Sequence, residues 1–175
     1  MGMRDGWGAL PALTLATGMV AGTAVADDVS PMAASAARAT GVVEARAADV
    51  VRAAERALAD AKRTDLTERD LPVLVALAVR ESHLRAEVER CEVTGDGGRA
   101  VGLWQEHAVG PRRERLCRGG VDAQAREAVR HLALCPSQSW AARIACYAGR
   151  KEDHPIVRAR VELAECLARA AEPRK

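Results

Sequence analysis

Arg80-Glu81-Ser82-His83, followed by Gly95-Asp96-Gly97-Gly98-Arg99-Ala100-Val101-Gly102-Leu103-Trp104-Gln105, gathers groups able to do chemistry into one short run. Glu81 closes an apolar stretch. Asp96 lies on a glycine-rich segment able to fold back over it. A held proton and a second carboxylate are the minimum equipment for breaking a glycosidic bond by acid catalysis. Gly102, Leu103, Trp104 and Gln105 add an apolar contact, an aromatic face and an amide, the kinds of group that hold a sugar ring and its acetamide. The plain alternatives are that Asp96 is a turn residue and Trp104 a core filler. Neither explains why they cluster directly after Glu81.

The element that must carry Glu81 is a helix. Asp70 is a good N-cap, and Leu71 to Val79 are apolar all round. A helix without a polar face belongs in the middle of a fold. Glu81 shares a face with Leu74, Leu77 and Ala78, close to the helix C-terminus. Apolar surroundings and the negative end of the helix dipole both penalise its ionised form, as a general acid requires. The competing reading is a helix-end glutamate in water, paired with Arg80 or Arg85.

Taken together, Arg80 to Gln105 resembles the catalytic core of goose-type lysozymes and soluble lytic transglycosylases. Those proteins carry Glu-Ser at the end of a buried helix, then a glycine-rich segment ending in Gly-Leu-Met-Gln. Trp104 stands here for the methionine. Tyr147-Ala148-Gly149 looks like a contracted form of their Tyr-Asn-Ala-Gly signature. The resemblance implies a mainly α, lysozyme-like domain around a buried central helix, with one irregular glycine-rich loop or small hairpin. It implies action on the β-1,4 bond between N-acetylmuramic acid and N-acetylglucosamine of peptidoglycan, with no cofactor and no metal. By motif position Glu81 would be the general acid, Asp96 an aid to water, and Ser82 an orienting group. Gly102, Leu103, Trp104, Gln105 and Tyr147 would bind substrate. A further aspartate usual two residues after the glutamine is replaced by His107, which tips the expectation from hydrolysis toward an anhydro product. An inactive secreted module that binds peptidoglycan or a protein is the alternative, and a monomer is expected.

Residues 1–26 look like an export signal, with Ala24-Val25-Ala26 as a small-x-small cleavage site. An uncleaved anchor is the rival, made a poor spanning helix by Pro11, Gly18 and Gly22. A periplasmic or secreted protein follows, with no stable membrane insertion after cleavage. Residues 27–41 read as a flexible lead-in and 42–175 as the domain, with helices over Val43 to Lys62, Asp122 to Leu134, Pro136 to Tyr147 and Asp153 to about Ala171. Cys91 to Gly120 reads as loop, with a small hairpin around Val101 to Gln105.

A net charge of +2 and only three tryptophans and one tyrosine argue against a nucleic-acid partner. Phenylalanine is absent, so the core must be built from Leu, Val, Ala and Ile. None of the five cysteines has zinc-site spacing, and export makes disulfides plausible. Cys91, Cys117, Cys135 and Cys146 are the candidates. Cys91 to Cys117 is the preferred pair, because both flank the glycine-rich loop; the pairing as a whole stays open. Cys166 lies on a stripe with Ile156, Ala159, Leu163 and Ala170, which predicts a buried thiol.

Overall fold

Thr67 and Asp70 start the helix on which the molecule is built. Asp70 Oδ2 accepts from the Thr67 backbone N–H at 2.9 Å, and Thr67 Oγ1 accepts from Arg69 N–H at 3.3 Å. This reciprocal cap closes a short 3-10 turn, Glu68–Asp70, ahead of the helix proper. Asp70 therefore caps backward onto Thr67 and makes no side-chain cap bond to the helix that follows.

The computed structural model describes residues 30–62 and 64–172. In chain order the helices are α1 (Pro31–Thr40), α2 (Glu44–Asp60), α3 (Leu71–Ser82), α4 (Ala86–Glu89), α5 (Gly110–Arg118), α6 (Gly120–Ala133), α7 (Trp140–Tyr147) and α8 (Pro155–Ala171). Two short strands, β1 (Ala100–Val101) and β2 (Glu106–His107), pair antiparallel, Ala100 opposite His107 and Val101 opposite Glu106. The protein is mainly helical and carries two disulfides. No helix among the described residues is long and apolar enough to cross a membrane. The proposed signal, 1–26, lies outside the described residues.

Every residue of α3 from Pro72 to Val79 is buried, with α1, α2, α6 and α8 packed around it. Alanine makes this possible. Ala33, Ala36, Ala47, Ala54, Ala76, Ala125 and Ala164 are all fully buried, so helix backbones approach closely and leucine and valine fill the remaining space.

The stretch 27–41 is not a flexible lead-in over the part described. Ser30 Oγ accepts from Ala33 N–H at 3.2 Å, Pro31 opens the helix, and Met32, Ala33, Ala36 and Ala37 are buried. Serine followed by proline is itself a helix-start signal, and it outweighs the alanine-rich composition. The expected loop 91–120 likewise contains α5, opened by Gly110-Pro111, whose Leu116 packs with Val101 and Ala108 in a second small core.

Cys91–Cys117 and Cys135–Cys146 are the two bridges. The first closes the second small core against the hairpin. Cys166 is free and exposed, correcting the buried thiol expected of it. The buried face of α8 runs through Val157, Arg160, Ala164 and Leu167, one residue around from the stripe expected.

The bridges close segments of different length, with separations of 26 and 11 residues. Replacing both Cys91 and Cys117 by alanine should cost roughly 3–4 kcal/mol, against about 2.5–3 kcal/mol for Cys135 and Cys146. Urea unfolding of the two double variants measures this; the reverse order would show that the larger loop is held by its packing rather than its crosslink.

Candidate functional site

The last turn of α3 delivers Glu81 to the floor of a groove of about 900 Å³. The chain must leave the helix there. Ser82 Oγ donates to Ala78 O at 2.8 Å and accepts from Leu84 N–H at 3.1 Å, and His83 and Leu84 both take left-handed backbone angles. The helix thus stops one residue after Glu81, leaving its carboxyl at the boundary between core and groove. Its side chain is 21 % exposed.

Arg160, from the buried face of α8, pairs with Glu81 Oε1. Among the described residues nothing accepts from Arg160 Nε or Nη1, both buried. Burial raises the Glu81 carboxyl above its ordinary value, Arg160 works the other way, and the charge of Glu106 adds to the rise; burial prevails.

Glu106 is a second carboxylate on the same groove, and the sequence reading missed it. It is 3 % exposed. The Tyr147 hydroxyl donates to its Oε1 at 2.5 Å, His131 Nδ1 lies 3.2 Å from Oε2, and Arg112 Nη2 lies 3.7 Å away. The Tyr147 hydroxyl is also 3.1 Å from Trp104 O, and its ring packs on His131 with centroids 4.4 Å apart. Burial and the Glu106 carboxylate push the Tyr147 phenol well above its usual value, so Tyr147 serves as a donor. A signal for Glu106 existed in the strand register: it sits opposite Val101, whose side chain is buried.

The remaining expected site residues divide sharply. Asp96 borders the groove, but on a wet rim: it is half exposed and held by His107 Nε2 at 3.1 Å and Arg99 Nη2 at 3.2 Å. Gln105 also borders the groove, its amide N–H donating to Gly102 O at 2.9 Å. Tyr147 lines it.

Ser82, Gly102, Leu103 and Trp104 are taken up by structural contacts. Ser82 is buried and spends its hydroxyl on closing α3, so it orients neither Glu81 nor a ligand. Leu103 is fully buried, with its N–H donating to Gln124 Oε1 at 2.8 Å. Gly102, at φ 74°, lies so close to the Gln124 side chain that a Cβ would meet it at 2.6 Å. Trp104 touches the groove yet is 1 % exposed, and its indole N–H donates to Leu74 O at 2.9 Å. It locks the hairpin to α3 and offers no ring face to a sugar. Leu134, 74 % exposed, and Ile156, 45 % exposed, form the apolar rim instead.

No cluster of three or more metal-ligating side chains occurs among the described residues. Comparison with protein-family models, curated proteins and solved structures finds no match for the chain. The arrangement itself puts two carboxyl groups on one open groove: Glu81, raised by burial, and Glu106, enclosed by hydrogen-bond partners.

Two outcomes follow. Trp104→Ala should cost about 3–5 kcal/mol in chemical denaturation, the range for emptying a core tryptophan site; a loss confined to ligand affinity would return the ring to the groove. For Glu81, a carboxyl raised by folding favours the native state below about pH 4, and that contribution is lost as pH rises through the folded value. Glu81→Gln should therefore melt above the wild type at pH 7, with the difference closing at pH 4. A variant that melts lower at pH 7 would mean that pairing with Arg160 outweighs burial.

Proposed function

We propose that the groove cleaves peptidoglycan glycan strands at the β-1,4 bond between N-acetylmuramic acid and N-acetylglucosamine, with Glu81 as acid and base. The domain would then be a lysozyme-like one of the goose-type and lytic transglycosylase kind, exported to the periplasm or beyond. The observation that carries the reading is the Glu81 carboxyl on the groove floor, at a helix end, raised by burial. The two disulfides are compatible with an oxidising compartment.

In the proposed reaction Glu81 protonates the leaving glycosidic oxygen as positive charge grows on the muramic ring. The resulting carboxylate then takes the proton of the muramic 6-hydroxyl, whose oxygen closes onto the anomeric carbon. The products are a 1,6-anhydro end and a free 4-hydroxyl, with no water consumed. This route is favoured over hydrolysis by what surrounds the other acids. An inverting hydrolase needs a carboxylate about 6.5–9.5 Å from the acid with room for water between. Glu106 is closed in by Tyr147, His131 and Arg112, and Asp96 stands on the exposed rim, its Oδ2 shared by His107 and Arg99.

The contact between Glu81 and Arg160 favours a second reading, a binding module without activity, because an acid that stays ionised delivers no proton. One variant separates the two. Glu81→Gln should lower cleavage of purified peptidoglycan by at least about a hundredfold while binding persists. Mass analysis of the wild-type fragments should find ends one water lighter than reducing ends. Reducing ends would move the chemistry to hydrolysis; intact wall that the wild type still binds would make this a module.

A further inference from the structure

The charge of this chain is unevenly spread. Residues 110–130, which span α5 and most of α6, carry six arginines and three acids, an excess larger than the +2 of the whole sequence. The rest of the chain is therefore slightly acidic, and the positive charge is gathered on one pair of helices. Two of the three acids do little to offset it: Asp122 pairs with Arg56 of α2, and Glu114 stands 3.9 Å from Arg118.

A hollow of about 400 Å³ lies between α5 and α6, lined by the arginines Arg112, Arg115, Arg126 and Arg130 and by Glu127. Glu127 is buried and already shared by Arg112 and Arg130. Arg115 and Arg126 are exposed and have no acidic partner among the described residues. Guanidinium groups around one hollow repel each other, and a single enclosed carboxylate cannot neutralise four of them. An oxyanion seated there would complete the neutralisation, and the planar fork of an arginine matches carboxylate or phosphate.

The position of the hollow decides between those two. Arg112, Glu127 and Arg130 line both the hollow and the groove that holds Glu81, so the two are continuous. A muramic ring in the groove carries a peptide on its lactyl group, and free carboxylates occur along that peptide. No aromatic side chain lines the hollow, so it offers a nucleobase nothing to stack on. Glu127 on its wall also repels a densely charged phosphodiester chain.

We propose that the arginine-lined hollow between α5 and α6 is a subsite for the acidic peptide of the glycan strand, its carboxylates bound by Arg115 and Arg126. The inference rests on the functional reading above and names the part of the substrate which that reading leaves out. Glu81 meets the sugar bond, while Arg115 and Arg126 take the peptide carboxylates. Arg112 and Arg130 stay with Glu127 and form the wall common to groove and hollow. The groove thereby selects peptide-bearing strands over bare ones.

The test is equilibrium binding of three preparations of the same soluble strands: peptide-bearing, stripped of peptide by an amidase, and with the peptide carboxylates amidated. The proteins are Glu81→Gln, which leaves strands intact, and Glu81→Gln with Arg115→Gln and Arg126→Gln added. Peptide-bearing strands should bind the first protein about five- to thirtyfold more tightly than the other two preparations at low salt, the worth of two exposed guanidinium–carboxylate contacts. The two added substitutions should bring that ratio to about one, and so should raised ionic strength. Both side chains are exposed, so a melting curve should show the fold kept; should it not, Arg126→Gln alone decides by the same ratio.

Equal binding of peptide-bearing and bare strands overturns this inference and leaves the functional reading standing. A preference that survives the arginine substitutions, or that amidated strands share, overturns it too. A phosphodiester polymer that binds more tightly than peptide-bearing strands, and loses that binding with the two arginines, reassigns the hollow to phosphate and overturns it as well. Binding of no strand overturns it, and if the wild type also leaves wall uncleaved, the functional reading falls with it.

Discussion

A carboxyl at the end of a helix with no wet face is the constraint from which the rest of this molecule can be understood. The sequence Leu71 to Val79 offers water nothing, so α3 must be surrounded, and α1, α2, α6 and α8 surround it. Whatever follows directly on such a helix starts in dry ground. Glu81 is that residue, and the self-capping of Ser82 with the left-handed turn at His83 and Leu84 ends the helix before the carboxyl can be carried into solvent. Its tendency to hold a proton is thus a consequence of core packing rather than of any local motif.

A buried acid is costly unless its neighbours compensate, and the groove floor does so with a row of alternating charges. Arg160 meets Glu81; Tyr147, His131 and Arg112 meet Glu106; Arg112 and Arg130 meet Glu127. One face of α6 organises much of this. Gln124, Glu127 and His131, spaced three and four residues apart, lie on one side of the helix. Gln124 accepts from Leu103 N–H and donates to Glu89 O at 2.8 Å and to Leu116 O at 3.2 Å. The helix that supplies His131 to Glu106 therefore also clamps the hairpin on which Glu106 sits. Site and scaffold are stabilised by one polar stripe, and the members of a hydrogen-bond network of this kind strengthen one another.

How far the sequence discloses this depends on the kind of signal. α3 is readable because an uninterrupted apolar run admits one interpretation, and the Cys91–Cys117 pair because its members flank a single loop. α8 is harder. Alanine-rich helices offer two nearly equivalent stripes, and choosing Ile156, Ala159, Leu163 and Cys166 over Val157, Arg160, Ala164 and Leu167 rotates the helix by one residue. That small rotation turned a surface thiol inward and hid Arg160, the partner of Glu81. Trp104 and Ser82 show the opposite failure: both stand in a run rich in functional residue types, yet both are consumed by structure. Glu106 escaped notice because charge usually marks solvent, and only its strand pairing with buried Val101 says otherwise.

The three acids beside Glu81 differ in ways that bear on chemistry. Asp96 is wet and shared between His107 and Arg99; Glu106 is dry and shared among three donors; Glu127 is nearly enclosed between two guanidinium groups. Activating a water asks a carboxylate to be free on one side; Glu106 and Glu127 are enclosed, whereas Asp96 has only Oδ2 engaged and stands on the exposed rim of the groove. Glu81 has one strong partner and an open face. A single carboxyl that must give a proton and then take one back works best when its affinity lies close to the working pH. Burial, with a smaller push from Glu106, raises the affinity of Glu81, and Arg160 pulls it back. On this view the Arg160 contact need not silence the groove: it offsets the excess affinity that burial alone would impose.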